Sequence, residues 1–217
     1  MNIKVNDVNL YYEVYGSGKP VILVHGNGES HEIFDKLSEK LKEEYKVYAL
    51  DSRCHGKSED TKKISYDLMA EDVIAFIEEL KIEKPVFYGF SDGGNVGLLI
   101  AVKRPELLSE LIISGANLNP RGMAAKDLFL MKLGYIFHKD KLVRMMLKEP
   151  DITTEDLEKI VIPTHVVAGE KDVIREKHTR FIAEHIKGST LLILPGETHG
   201  SYIVHSEKIY HVLKKYL

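Results

Sequence analysis

The stretch Pro85-Val86-Phe87-Tyr88-Gly89-Phe90-Ser91-Asp92-Gly93 decides how this chain is expected to fold. Its first four residues form a short apolar run that predicts a buried β-strand, and residues 95–104 predict a helix that Pro105 ends. A serine between two glycines at such a turn is held in an exposed, strained position, because glycine has no Cβ to clash there. The helix N-terminus offers free N–H groups to a developing negative charge. The stretch therefore predicts a strand–turn–helix unit that presents Ser91 as a candidate nucleophile.

Short β-rich runs alternate with helical periods along most of the chain. Residues 2–6 and 8–15 predict a hairpin around Asn6-Asp7. Continuous apolar runs predict strands buried on both faces, as in a parallel sheet, at residues 21–24, 46–50, 85–88, 111–113, 164–168 and 190–194. Between them, apolar residues recur at three- and four-residue steps, which predicts helices that cover the sheet. The sequence thus predicts an α/β fold with a mostly parallel central sheet of about eight strands flanked by helices.

The alternation stops between residues 117 and 159. Residues 118–150 contain seven Lys/Arg and three Asp/Glu, a net charge of +4 that leaves −7 for the rest of the chain. Because this part has no strand pattern, we predict that residues 117–159 form a short helical lid inserted into a core made of residues 1–116 and 160–217. Basic side chains facing the site would favour anionic acyl substrates, whereas basic side chains on the outer face would leave an apolar roof.

A serine nucleophile needs a base and a group that orients the base. His199 is the candidate base, because it alone of the histidines in the C-terminal part is predicted in a loop just past a strand, residues 190–194. Asp172 is the candidate orienting carboxylate, since it follows the strand at residues 164–168 and loops at the carboxyl ends of strands build such sites. Glu170 competes with it, and a purely structural role stays open for both Asp172 and His199.

The segment His25-Gly26-Asn27-Gly28, directly after the strand at residues 21–24, is the candidate oxyanion loop. Its glycines allow the backbone to approach a substrate closely. The backbone N–H groups of Asn27 and Asp92 are the two predicted donors to an oxyanion. The Asn27 side chain need not take part.

Taken in order, the motifs resemble the α/β-hydrolase superfamily. They are His25-Gly26-Asn27-Gly28, residues 50–58 (LDSRCHGKS), Gly89-Phe90-Ser91-Asp92-Gly93-Gly94, Gly169-Glu170-Lys171-Asp172 and Glu197-Thr198-His199-Gly200. The resemblance implies ester-type hydrolysis through an acyl-enzyme, with Ser91, Asp172 and His199 as a catalytic triad in that chain order. One departure is Cys54, where relatives usually carry glycine, and we interpret it as a small buried thiol with a structural role.

The resemblance favours a cofactor-independent serine hydrolase, and specifically a carboxylesterase acting on small acyl esters. Thioesterase, enol-lactonase and C–C bond hydrolase stay open, because they share the triad and differ in the pocket. A non-hydrolytic receptor or regulator that keeps the pocket for recognition is the alternative from another class. No metal is expected, since the sequence has no H-E-x-x-H, no cysteine pair and no phosphate-binding lysine in its glycine-rich turns.

The composition and net charge of the chain limit the kinds of partner that it is expected to bind. The chain has 217 residues and a net charge of −3, which gives no reason to expect nucleic acid or an acidic membrane surface as the main partner. One cysteine excludes an internal disulfide and suits a cytoplasmic location. No segment approaches the roughly 18 apolar residues of a membrane span. The expected partner is therefore a small-molecule acyl substrate, and the sequence does not indicate an oligomeric state.

Overall fold

A computed structural model describes residues 1–217, and an eight-stranded sheet forms its centre. The strand order across the sheet is β1-β2-β4-β3-β5-β6-β7-β8. The strands are β1 (Asn2–Val5), β2 (Val8–Tyr15), β3 (Lys19–Val24), β4 (Tyr45–Leu50), β5 (Val86–Phe90), β6 (Glu110–Ser114), β7 (Thr164–Lys171) and β8 (Thr190–Thr198). Strand β2 pairs antiparallel with both β1 and β4, and all other pairs are parallel. This confirms the predicted mostly parallel sheet that begins with a hairpin.

Helices cover both faces of the sheet. They are α1 (Asp35–Leu41), α2 (Tyr66–Glu79), α3 (Asp92–Lys103), α4 (Ala125–His138), α5 (Lys141–Met146), α6 (Thr154–Glu158), α7 (Glu176–His185) and α8 (Tyr210–Leu213). Successive residues of β3 alternate between two buried hydrophobic clusters, with Ile22 and Val24 packed beside α2 and α3, and Val21 and Leu23 beside α1 and α8. The strands are therefore buried on both faces, which explains why their sequences are continuously apolar.

Helix α3 and strands β7 and β8 differ from their predicted bounds by three residues or more. Helix α3 begins at Asp92 and not at residue 95, because the two glycines after Asp92 continue the helix instead of forming a turn. Strands β7 and β8 run on to Lys171 and Thr198, since their main chains keep pairing past an irregularity between Gly169 and Lys171. The C-terminal helix α8 covers only Tyr210–Leu213, and His205 lies before it in a turn.

Residues 117–159 contain α4, α5 and α6, as expected for a helical segment. Leu118 and Ile152 of this segment lie close together, because the Ile152 N–H donates to the Leu118 carbonyl oxygen at 2.9 Å. Helix α6 packs against α3 and α7. The division into a core and a lid at these bounds stays a prediction. No helix of the protein is both long and apolar enough to cross a membrane.

Candidate active site

Ser91 lies at the sharp turn between β5 and α3. Its backbone has φ 52° and ψ −113°, a conformation that costs about 1–3 kcal/mol and persists only where the surroundings impose it. A Cβ at Gly89 would overlap the Gly93 carbonyl oxygen, and a Cβ at Gly93 would overlap the Val24 carbonyl oxygen. Both glycines around the serine are thus required by close packing of the backbone. The turn lifts the hydroxyl out of the sheet into a pocket.

The structure brings Ser91, His199 and Asp172 together at the carboxyl ends of three strands. His199 Nε2 lies 3.0 Å from Ser91 Oγ, and His199 Nδ1 lies 2.7 Å from Asp172 Oδ1. The same Asp172 oxygen accepts the Ile174 N–H at 2.8 Å, and the Asp172 side chain is 2% exposed. With Nδ1 donating to the carboxylate, Nε2 is free to accept a proton from the serine.

The other candidates for base and acid lie elsewhere. The exposed Glu170 carboxylate accepts the Gly196 N–H at 2.7 Å and does not contact His199. Glu170 therefore joins the end of β7 to the part of β8 that precedes His199. His205 is exposed and pairs with Asp35 at 3.1 Å. Neither residue reaches Ser91.

The two predicted oxyanion donors have their N–H groups available. Neither the Asn27 nor the Asp92 backbone N–H has an acceptor within the protein. The Asn27 side-chain amide donates to Asp92 Oδ2 at 2.9 Å, and the Tyr66 hydroxyl donates to Asp92 Oδ1 at 2.6 Å. Burial raises the pKa of Asp92, while these two hydrogen bonds act against that rise. The Asp92 side chain thus links the loop after β3 to the first turn of α3.

His25 fixes the candidate oxyanion loop from below. Its Nδ1 donates to the Gly26 carbonyl oxygen at 2.7 Å, and its Nε2 accepts the Ser52 N–H at 3.1 Å. Burial, with a further contribution from His55, lowers the pKa of His25 to about 4. The imidazole is therefore neutral at neutral pH, which these two hydrogen bonds require.

The segment after β4 supports the same loop and contains the single cysteine. Asp51 is fully buried and accepts the backbone N–H groups of His31 at 2.7 Å and Lys57 at 2.8 Å. Cys54 has φ 64°, a left-handed conformation that glycine adopts without strain. Its thiol is half-buried and lies 3.3 Å from Thr61 Oγ1, so the expectation of a buried thiol is wrong.

Ser91 opens into a pocket of about 240 Å³. Its apolar wall consists of Phe90, Met123, Met131, Met146, Val173 and Ile174. No lysine or arginine lines it, and Arg121, Lys132 and Lys148 line a separate depression on the outer side of the inserted segment. The positive charge of residues 118–150 therefore lies outside the pocket, as in the second of the two arrangements considered above, in which the segment forms an apolar roof.

Glu29 is a pocket residue that the sequence analysis missed. Its Oε2 accepts the Gly26 N–H at 3.0 Å, and the side chain forms no ion pair. Burial raises the pKa of Glu29. The available signal was its position directly after His25-Gly26-Asn27-Gly28. Tyr66, whose hydroxyl binds Asp92, gave no signal, because it belongs to the regular apolar pattern of α2.

A model of the family described as alpha/beta hydrolase fold matches residues 19–136, more than half of the chain. The match spans β3 to most of α4, and so includes the Asn27 loop and the Ser91 turn. The chain therefore belongs to the α/β-hydrolase family, and it is a hydrolase of the esterase type.

Individual relatives agree with the family. The mouse protein named serine hydrolase BPHL is 25% identical over 248 residues, which cover 99% of this chain and 85% of the relative. An esterase from Exiguobacterium antarcticum superposes with a TM-score of 0.85 at 23% identity, covering 96% of this chain and 95% of the other. The enol-lactonase from Burkholderia xenovorans gives 0.81 at 19% identity, covering 100% and 98%. At such identities the two structures show a shared fold.

Proposed function

We propose that the protein is a cofactor-independent carboxylesterase that hydrolyses small acyl esters through an acyl-enzyme on Ser91. The observation that carries the proposal is the chain of contacts from Ser91 through His199 to Asp172, at 3.0 and 2.7 Å, beside two unengaged backbone N–H groups. A nucleophile, a base, an orienting carboxylate and oxyanion donors in one pocket are the parts that acyl transfer needs.

In the acylation step, His199 Nε2 takes the hydroxyl proton as Ser91 Oγ attacks the ester carbonyl carbon. Asp172 keeps the imidazole in the tautomer with Nδ1 protonated and stabilises the imidazolium that forms. The backbone N–H groups of Asn27 and Asp92 stabilise the oxyanion of the tetrahedral intermediate. His199 then gives its proton to the leaving alkoxide, and the acyl group stays on Ser91.

In the deacylation step, His199 removes a proton from a water molecule that attacks the acyl carbon. The oxyanion is again held by the Asn27 and Asp92 amides. Collapse of the intermediate returns the proton to Ser91 Oγ and releases the carboxylic acid.

The pocket favours neutral substrates with short acyl chains. Its volume of about 240 Å³ lies below the roughly 300–1,000 Å³ of sites for drug-sized ligands. The flexible methionines of its wall can adapt to different acyl groups. Glu29 and Asp92 line it without a neighbouring cation, so an anionic acyl group would meet carboxylates at the reacting centre.

The test is turnover of p-nitrophenyl esters from acetate to octanoate, beside matched thioesters and lactones. We expect the short esters to be the best substrates, and Ser91→Ala to lower kcat on the order of 10⁶-fold while leaving the circular dichroism spectrum unchanged. Ser17→Ala is the matched control, because Ser17 is exposed and makes no hydrogen bond.

Each contrary outcome has a separate meaning. A preference for thioesters or lactones would support the assignment of the triad but would change the proposed substrate class. An inactive wild-type protein across the whole panel would favour the non-hydrolytic receptor. More than a few per cent of activity in Ser91→Ala would refute the assignment of the nucleophile.

A further inference from the structure

Helix α4 leaves a large apolar face in solvent. None of its 14 residues is buried, and Phe129 and Phe137 are 64% and 73% exposed. The exposed apolar side chains recur at helical spacing and form one face, consisting of Phe129, Leu130, Leu133, Ile136 and Phe137. The opposite side of the helix, with Leu128, Met131 and Tyr135, is half-buried against the protein. Because α4 is apolar on both sides, its outer face lacks the partner that such a face normally has.

Unpaired cations belong to the same segment as this face. Of the seven Lys/Arg at residues 118–150, Lys141 pairs with Asp60. The other six form no ion pair: Arg121, Lys126, Lys132, Lys139, Arg144 and Lys148. The segment keeps its net charge of +4 on a chain whose remainder carries −7. We call the apolar face together with these six cations the basic lid surface.

We propose that the basic lid surface docks on the surface of a phospholipid bilayer that contains anionic headgroups. A helix that exposes large apolar residues beside lysines and arginines binds in the interface plane, with apolar side chains among the acyl chains and cations at the headgroups. With 14 residues, α4 is too short to cross the hydrocarbon core, which needs about 20. The net charge of the whole chain, −3, does not reveal that residues 118–150 carry +4 and the remainder −7.

The charge argues against a second copy of the chain as the partner. A two-fold dimer through α4 would place the same surface of both copies face to face. Two segments of +4 would then meet, and juxtaposed like charges oppose association. An anionic bilayer instead complements the cations and accepts the apolar side chains.

Docking in this way would bring the pocket close to the lipid. Met131, on the inner side of α4, lines the pocket that contains Ser91, while Phe129 lies on the outer side of the same helix. The inference goes beyond the proposed esterase activity and does not depend on it, because binding to vesicles is measured without turnover.

The test is co-sedimentation of the full chain with vesicles of phosphatidylcholine alone or of equal parts phosphatidylcholine and phosphatidylglycerol. We expect binding to the anionic vesicles that is lost in about 0.5 M salt, where the screening length is only several ångströms. The double variant Lys126→Gln/Lys132→Gln should weaken binding about 30-fold, from about fivefold per lysine near the surface. The double variant Phe129→Ser/Phe137→Ser should weaken it at least about tenfold.

Matched controls separate the surface from general effects of charge and hydrophobicity. Lys84→Gln/Lys187→Gln removes two exposed, unpaired lysines that precede β5 and β8, at the opposite edge of the sheet. Val161→Ser removes an apolar side chain that is 76% exposed outside α4. Both should bind like wild type, and so should Ser91→Ala, whether or not it is active.

Four results would overturn the inference. They are no binding by the wild type, equal binding to both kinds of vesicle, equal losses in the controls and the lid variants, and a dimer in analytical ultracentrifugation that the Phe129/Phe137 variant abolishes. The last result would assign the surface to a second copy. An absence of esterase turnover with intact vesicle binding would refute the proposed function alone.

Discussion

Gly115 offers a way to displace His199 without changing any group that reacts. It follows β6, has φ +62° and lies behind the imidazole. A Cβ at this position would lie 2.7 Å from His199 Cε1 and 2.9 Å from His199 Nδ1, where ordinary contacts begin at 3.4 Å. The ring must therefore move by roughly 0.7 Å in Gly115→Ala, judged against the packing distances of folded interiors.

Such a shift disturbs both hydrogen bonds of the imidazole. The distance to Ser91 Oγ is 3.0 Å and the distance to Asp172 Oδ1 is 2.7 Å, so a shift of this size along the bond to Ser91 lengthens it to about 3.7 Å, beyond hydrogen-bond range. A misplacement of about 1 Å can cost about 10²-fold in rate. We expect Gly115→Ala to lower kcat by about 10- to 100-fold, with KM nearly unchanged because the pocket wall is intact.

The assay is steady-state hydrolysis of p-nitrophenyl butyrate, with the melting temperature recorded for each variant. An alanine at positive φ costs about 1–2 kcal/mol, which lowers the melting temperature by about 2–8 °C. Gly188→Ala is the matched control, since Gly188 has φ +76° and no atom within 4 Å of its would-be Cβ. It should lose stability and keep kcat. A folded Gly115→Ala protein with the kcat of wild type would refute the reasoning that His199 must stay in this position.

Three further predictions concern single side chains. Asp172→Asn should lower kcat about 10⁴-fold, because the amide favours the wrong imidazole tautomer. In the same ester assay, Glu170→Gln should have a kcat near that of wild type. The reverse result would show that Glu170, and not Asp172, orients His199. Burial raises the pKa of Glu29, so its ionisation lowers stability as pH rises. Glu29→Gln should therefore have the higher urea midpoint at pH 7 but not at about pH 3, where the glutamate is protonated in both states. A more stable wild type at pH 7 would contradict this. Cys54→Gly should raise the melting temperature by about 2–4 °C by relieving the left-handed backbone, and a lower value would show that the thiol contacts outweigh the strain.

The strands could be predicted because their signal is local. Each of the six strands β3–β8 contains an apolar run, and burial on both faces of a parallel sheet makes that run continuous. The positions of Ser91, Asp172 and His199 could be predicted for the same reason, since each follows such a strand and the carboxyl ends of parallel strands meet at one edge. The sequence therefore predicts at which edge of the sheet these three residues lie and in which order they occur along the chain.

The partners of the site residues could not be predicted in this way. The Asp92 carboxylate binds Tyr66 of α2 and Asn27 of the loop after β3, and neither spacing along the chain is periodic. The pKa of Glu29 is raised by burial, and the burial of a single loop residue cannot be predicted from a sequence pattern. The bounds of β7 and β8 depend on main-chain pairing between the two strands, to which side-chain pattern contributes little.

Helix α4 shows why the direction in which its lysines face could not be predicted from the sequence. An amphipathic helix reveals its inner face by apolar spacing, but α4 is apolar on both faces, so two orientations satisfy the same pattern. Packing resolves the choice: Met131 lines the pocket, and the cations and the two phenylalanines remain outside. The absence of lysine and arginine from the pocket and the basic outer surface are thus two consequences of one orientation. The net charge of the whole segment therefore predicts neither property. The methionines line the pocket beside Ser91, whereas the lysines are exposed to solvent and to any partner that binds there.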